Sequence, residues 1–130
     1  MRILLITLTA LGLLSACTPE KACTLIGCVD GLNITLKGQV AQSYTLKLKV
    51  QGQPDQNLSC PEGTSGHICF PNGSVFVNNY TPQSVEITYT AGEKTVTKKF
   101  NPSYSTSNPN GPDCGPTCKQ ARIELEVGNS

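Results

Sequence analysis

The sequence predicts an all-β protein folded as an antiparallel β-sandwich of about seven short strands. Apolar residues recur at every second position through much of the chain, as in Leu46, Leu48 and Val50, which is typical of half-buried strands. Gly, Pro and Asn residues separate these segments, as expected for turns. Six of the seven cysteines follow residue 22, and an even number of cysteines is typical of exported domains held together by disulfides. A small β-barrel is the alternative architecture.

Individual strands follow from this alternation, and no segment has a helical stripe of apolar residues. Gly92-Glu93 has the Gly-X form of a two-residue type II′ turn and predicts a hairpin. In that register Glu86 lies opposite Lys99, and Lys98 falls on the inward face, where it indicates a bulge or a charged edge. We predict strands at 32–37, 43–50, 57–60, 67–70, 74–77, 84–90, 94–100 and 121–127.

The number and spacing of these strands resemble those of immunoglobulin-like and transthyretin-like sandwiches. The resemblance is one of strand pattern only, because the chain has no Trp and so lacks the core tryptophan of antibody domains. We predict a single sandwich domain over residues 23–130, and we identify no named family for it.

The N-terminal segment has the composition of a secretory signal peptide. Arg2 supplies a short basic region. Residues 3–14 form a mostly apolar run, which is shorter than the stretch of about 20 residues that spans a bilayer as a helix. The segment therefore predicts export and not a membrane-spanning helix.

The apolar run ends in Leu14-Ser15-Ala16-Cys17, which resembles the lipobox of bacterial lipoprotein precursors at every position. The resemblance implies that residues 1–16 are a signal peptide, cut off after Ala16, and that Cys17 is the lipidation site. Residues 17–22 would then be the lipidated N-terminus and a short tether. Two or more acyl chains hold a protein stably at a membrane.

The lipobox resemblance also implies a location. Lipid on Cys17 would hold the domain at a membrane outside the cytoplasm. Thr18 stands where an Asp tends to keep such lipoproteins in the inner membrane, so we expect the outer membrane if the organism has one. Five extended residues, 18–22, span roughly 17 Å at most, which would keep the domain close to the bilayer.

The six cysteines after Cys17 are predicted to form disulfides. Cys60 and Cys69 flank a turn-rich segment, so we predict that they pair with each other. Bridges that close long loops remove the most entropy from the unfolded chain. That effect favours bridges between the N-terminal and the C-terminal members of the other four: Cys23, Cys28, Cys114 and Cys118.

A bridge between Cys28 and Cys118 would have a consequence for the fold. The strands at 32–37 and 121–127 would leave one covalent point in the same direction. We would then expect them to be parallel neighbours at one edge of the sandwich, or to face each other in its two sheets.

The segment from Cys114 to Cys118 also permits a redox or copper protein. It resembles the thioredoxin motif with one residue inserted, and its spacing is similar to that of periplasmic copper chaperones. The thioredoxin motif needs a two-residue spacer at the start of a helix, whereas residues 121–127 have strand periodicity. A redox or copper protein is therefore an alternative and not the main prediction.

Residues 101–120 carry four prolines and no strand pattern. A loop of this length in a compact domain is usually functional or disordered, and its cysteines indicate that it is stapled. It is either an ordinary connection or a possible binding loop that displays Tyr104, Asn108 and Asn110.

No pattern of catalytic residues is found, so we predict that the protein is not an enzyme and needs no cofactor or metal. His67 is predicted to be a surface turn residue. Glu124 and Glu126 are predicted to lie on a solvated face, paired with Lys47 and Lys49. From Cys17 onward, nine basic residues balance nine acidic ones, which argues against nucleic-acid binding.

By elimination the sequence predicts a lipid-anchored envelope lipoprotein that acts as a non-catalytic binding or structural module. Its expected partners are the membrane, through Cys17, and an envelope protein or glycan. The alternatives are an inhibitor of a secreted hydrolase, which would use residues 101–120, and the redox or copper protein of Cys114 and Cys118.

Overall fold

A computed structural model describes residues 23, 27–111 and 113–128, and these residues form nine strands and no helix. Each strand predicted from the alternation is present, with its ends displaced by a few residues at most. The strands are β1 (Gly31–Gly38), β2 (Tyr44–Lys49), β3 (Gln56–Cys60), β4 (His67–Cys69), β5 (Ser74–Asn78), β6 (Val85–Ala91), β7 (Lys94–Phe100), β8 (Ser105–Ser107) and β9 (Cys118–Gly128).

The strands form two sheets that enclose one hydrophobic core, which confirms the β-sandwich. One sheet has five strands in the order β4-β5-β1-β9-β8, and the other has four in the order β3-β2-β6-β7. All neighbours are antiparallel except β1 and β9. Neither sheet closes into a barrel in the described part of the chain.

The core is built from the alternate residues that face the other sheet. Ile34 of β1 lies opposite Ile123 of β9, and both are buried. Leu48 of β2 lies opposite Ile87 of β6 in the other sheet, and neither is accessible to solvent. The largest fully buried side chains are Tyr89, Leu32, Ile34, Leu46, Leu48, Ile87, Leu125, Val75, Val77, Val85 and Val127, with Cys118.

The β6–β7 hairpin has the register that its turn predicts. Glu86 lies opposite Lys99, and Lys98 lies opposite Ile87, without a register shift. Lys98 is exposed because β7 is the edge strand of its sheet, and its Nζ lies 5.3 Å from the centroid of the Phe100 ring. Of the two interpretations of Lys98, the charged edge is therefore correct and the bulge is not.

The three predicted disulfides are present. Cys60 is bonded to Cys69, which confirms the local pair. Both long-range bridges join the N-terminal to the C-terminal part of the domain: they are Cys23–Cys114 and Cys28–Cys118.

Strands β1 and β9 are parallel neighbours, as the Cys28–Cys118 bridge predicts. Their position differs from one expectation, since they lie in the middle of the five-stranded sheet and not at its edge. The reason is that β5 covers the free side of β1, and β8, which the sequence pattern did not reveal, covers the free side of β9.

The parallel pair gives the sandwich two distinct ends. We call the end at which β1 and β9 begin, beside Cys28 and Cys118, the entry end. We call the end at which they finish, where Gly38 lies opposite Gly128, the far end. Among the described residues, no helix is long and apolar enough to cross a membrane.

The charged residues of β9 pair differently from the prediction. Glu124 lies 3.8 Å from Lys37 on the neighbouring strand β1, measured between Oε1 and Nζ. Lys47 lies 3.5 Å from Asp55, measured between Nζ and Oδ2. The predicted pairing of Glu124 and Glu126 with Lys47 and Lys49 was wrong because both lysines lie on β2, which belongs to the other sheet.

Candidate functional site

An uncharged cleft opens at the far end of the sandwich. It lies between the loop that joins β1 to β2 and the turn that joins β4 to β5, and its volume is about 830 Å³. None of its lining residues, all of them described, carries a charge at neutral pH. The apolar part of the lining consists mainly of Val40, Ala41, Tyr44, Pro61, Phe70 and Pro71.

One wall of the cleft is a hydrogen-bonded turn that presents Phe70. The Phe70 amide donates to the Ser74 carbonyl at 2.8 Å, and the Gly73 amide donates to the Phe70 carbonyl at 3.1 Å. Asn72 Oδ1 accepts from the Ser74 amide at 3.1 Å, and Gly73 has a φ of 85°, which favours glycine. The Phe70 side chain remains 44% exposed, although the backbone that carries it is fixed on both sides.

The opposite wall is held by two tyrosines of the core. The Ala41 amide donates to the hydroxyl of Tyr89 at 3.0 Å, which fixes the β1–β2 loop on the sheet. The rings of Tyr44 and Tyr89 lie 5.4 Å apart between centroids. Burial, with a smaller contribution from Tyr89, raises the pKa of the Tyr44 hydroxyl above its ordinary value.

The Cys60–Cys69 disulfide forms part of the cleft lining, and His67 lies against it. His67 is 3% exposed, so its prediction as a surface residue was wrong. Its Nε2 lies 3.1 Å from the Ser59 carbonyl oxygen, and its Nδ1 lies 3.0 Å from Thr64 Oγ1. A carbonyl oxygen only accepts, so Nε2 donates to Ser59, which leaves Nδ1 to pair with the Thr64 hydroxyl.

The residues predicted to form a binding loop lie toward the entry end. The Tyr104 hydroxyl donates to the Pro82 carbonyl at 2.6 Å, and burial, followed by the effect of Tyr80, raises the pKa of Tyr104 to about 12. Asn110 is buried, and its Nδ2 donates to the Gly115 carbonyl at 2.9 Å. These two side chains hold the loop in place, while Asn108 is exposed.

The other predicted site cysteines are not near the cleft. Cys114 and Cys118 are bonded to Cys23 and Cys28 at the entry end, and not to each other. Cys17, the predicted lipidation site, lies outside the described residues, as do the other residues that resemble a lipobox and the predicted signal peptide.

Sequence reasoning missed the cleft because its walls come from segments that are distant along the chain. The Phe70 turn carried a signal, since Pro71-Asn72-Gly73 is a strong turn sequence between two short strands. Nothing in the pattern placed that turn beside the β1–β2 loop. The chain matches no protein-family model, and no curated protein or solved structure matches it significantly.

Proposed function

We propose that this protein is a lipid-anchored component of a bacterial cell envelope that binds a partner without catalysing a reaction. The anchor would be lipid on Cys17, which the lipobox resemblance supports. The binding site would be the uncharged cleft at the far end. One observation carries this proposal: the cleft and the entry end lie at opposite ends of the sandwich.

The opposite placement of the cleft and the entry end matters because the anchor would lie next to the entry end. Only five residues separate Cys17 from Cys23, and Cys23 is bonded to Cys114 beside the start of β9. Strand β1 then runs away from this point for eight residues, or about 26 Å at the usual rise of a strand. A domain held at Cys17 would therefore present the cleft to the space away from its membrane.

The lining of the cleft supports a neutral ligand. It offers an exposed aromatic ring on Phe70 beside two prolines, with Gln42 and Asn72 as the amide-bearing residues. A cleft without charges neither attracts nor repels an ionic group, whereas a ring and amides suit an uncharged protein segment or a neutral glycan. The chain's net charge of +1 likewise supports a partner other than nucleic acid.

Photocrosslinking tests this proposal in intact cells. A photoreactive amino acid would replace Phe70 in one variant and Val29 in a second. The two residues have almost equal exposure, 44% and 43%, but Val29 follows Cys28 at the entry end. We expect a discrete crosslinked partner from position 70 only. A partner captured equally from both positions, or from position 29 only, would contradict the cleft as the binding site.

A second candidate is an inhibitor of a secreted hydrolase that would insert the Phe70 turn, and not residues 101–120 as the sequence suggested, because Tyr104 and Asn110 of that segment are bonded within the domain. The observation in its favour is the fixed turn that projects Phe70, because inhibitory loops are held in one conformation before they bind. The partner identified from position 70 distinguishes the two proposals. A hydrolase whose activity falls in a stoichiometric complex would indicate inhibition, whereas a structural protein or glycan would indicate the binding module.

A further inference from the structure

Three potential metal ligands converge at the cleft. The sulfur atoms of Cys60 and Cys69 and a ring nitrogen of His67 all lie within 4.8 Å of one another. It is the one such group of cysteine, histidine and carboxylate side chains in the part of the chain that the structure describes. In the oxidised protein the two sulfurs are bonded to each other and cannot act as thiolate ligands.

We propose that reduction of the Cys60–Cys69 disulfide creates a site for a thiophilic d¹⁰ cation such as Zn²⁺, with Cys60, Cys69 and His67 as its ligands. Two thiolates and one imidazole are a ligand set that zinc uses in proteins when it keeps a fourth position open. The fourth position would face the cleft and be filled by water.

The reducing step requires an external dithiol. One dithiol molecule is oxidised to its disulfide as the Cys60–Cys69 bond breaks, and two electrons and two protons pass to the two cysteine sulfurs. Zn²⁺ then displaces these two protons, so that the dipositive ion is balanced by two thiolates. The site would be neutral, which suits its uncharged surroundings.

The surroundings of His67 already resemble the outer shell of a metal site. A ligating histidine almost always donates its other ring N–H to a fixed polar partner, which orients the ring. Each nitrogen of His67 has such a partner, Thr64 Oγ1 for Nδ1 and the Ser59 carbonyl for Nε2. The nitrogen that binds the ion would exchange its present partner for the ion, and the other would keep a partner that orients the ring.

Access and geometry also fit a reversible site. Cys69 is partly exposed where it lines the open cleft, so a dithiol can attack its sulfur from solvent, with Cys60, which is 5% exposed, as the leaving thiolate. The Cα atoms of the two cysteines are 5.8 Å apart, and their bridge spans only nine residues of sequence. The two bridges that join the ends of the domain, Cys23–Cys114 and Cys28–Cys118, are separate from it, so reduction of the Cys60–Cys69 bond alone would leave the ends of the sandwich joined.

Zinc titration of the full chain tests the proposal. Wild type and a Cys60→Ala, Cys69→Ala variant would be reduced with a dithiol, and the dithiol would be removed under anaerobic conditions. Each protein would then be titrated with Zn²⁺ in competition with a chromogenic zinc chelator. We expect reduced wild type to bind one Zn²⁺ more than the variant. Oxidised wild type should lack this site. Comparing the two chains subtracts any zinc bound by other cysteines.

Two further variants make the result specific. His67→Leu, in which all thiols remain, should weaken zinc binding by about tenfold or more. The Cys23→Ala, Cys114→Ala variant, which loses as many thiols at a different place, should keep the site. Co²⁺ can replace Zn²⁺, and its thiolate-to-metal absorption band reports cysteine ligation directly. This readout does not depend on the folding stability of the variant. Equal zinc stoichiometry in wild type and the Cys60/Cys69 variant, or unchanged affinity in His67→Leu, would overturn the proposal.

Discussion

A disulfide joins Cys28 to Cys118, and the strands that follow these two residues run side by side in parallel register. Parallel neighbours are usually connected by a single crossover of about a dozen or more residues, most often a helix. Here seven strands separate β1 from β9 along the chain, and four of them build the other sheet. The bridge therefore fixes covalently the point from which both central strands start.

Removing this bridge should destabilise the domain by less than its loop length alone suggests. A bridge closing 90 residues is worth about 4.5 kcal/mol in the chain-entropy model. However, Cys23–Cys114 already closes nearly the same loop, so the second bridge closes only the small ring between the two. We expect the double variant Cys28→Ala, Cys118→Ala to have an unfolding free energy about 3 kcal/mol lower than that of wild type.

The same reasoning predicts that the two bridges are not additive. Removing both should cost about 7 kcal/mol, which exceeds the sum of the two separate losses. Denaturant unfolding of the two double variants and the quadruple variant, all without reductant, measures this cycle. Strictly additive losses would contradict the shared-loop account.

The core prediction concerns the buried faces of the central strands. Ile34→Ala and Leu125→Ala each remove a side chain that is at most 1% exposed, and each should cost about 2–5 kcal/mol. Ile68 is the matched control, because it is 45% exposed on edge strand β4. Ile68→Ala should change the unfolding free energy by about 0.5 kcal/mol or less. Comparable losses at all three positions would be inconsistent with this core.

Tyr104 should make the domain less stable at alkaline pH. Its pKa is raised to about 12 in the folded protein, whereas that of an unfolded tyrosine is about 10. The folded state therefore holds the proton more tightly, and this contribution is complete below pH 10 and is lost as the pH rises to about 12. Tyr104→Phe should lower stability at neutral pH by about 1 kcal/mol, through the lost bond to Pro82, and flatten the alkaline decline.

Thermal unfolding of wild type and Tyr104→Phe between pH 8 and pH 12 measures the effect, with the difference between the two curves as the observable. Tyr44 and Tyr80 also have raised pKa values, so part of the decline should remain in the variant. A difference that stays constant across this range would show that Tyr104 titrates normally.

Phe70 should matter for binding and not for folding. Because its side chain is 44% exposed, Phe70→Ala should change the unfolding free energy by about 0.5 kcal/mol or less. Recovery of the crosslinked partner, probed from another cleft position such as Gln42, should fall strongly in this variant. Val29→Ala at the entry end is the control and should leave recovery unchanged. Undiminished recovery in Phe70→Ala would exclude the ring as a binding determinant.

The sequence was most informative where local rules decide the structure. The turn at Gly92-Glu93 set the register that pairs Glu86 with Lys99. Loop entropy favoured bridges between the ends of the domain, and the parallel pairing of β1 and β9 followed from one of them. These features depend on few residues, and each has one dominant physical cause.

The features that were missed depend on contacts between distant segments. His67 begins a three-residue strand, too short to show alternation, and its burial follows from pairing opposite Val77. Strand β8 has an exposed Ser-Thr-Ser sequence and is defined only by its pairing with β9. The cleft likewise exists only after the Phe70 turn meets the β1–β2 loop, and no periodicity encodes that meeting.

Lipid attachment at Cys17 is the central claim, because it assigns both the compartment and the orientation of the cleft. Metabolic labelling with a radioactive fatty acid tests it directly, in wild type, Cys17→Ser and a control, Cys69→Ser, which loses a cysteine of the folded domain. We predict label on wild type and on Cys69→Ser, and none on Cys17→Ser. Equal label on wild type and Cys17→Ser, or no label on either, would contradict the anchor.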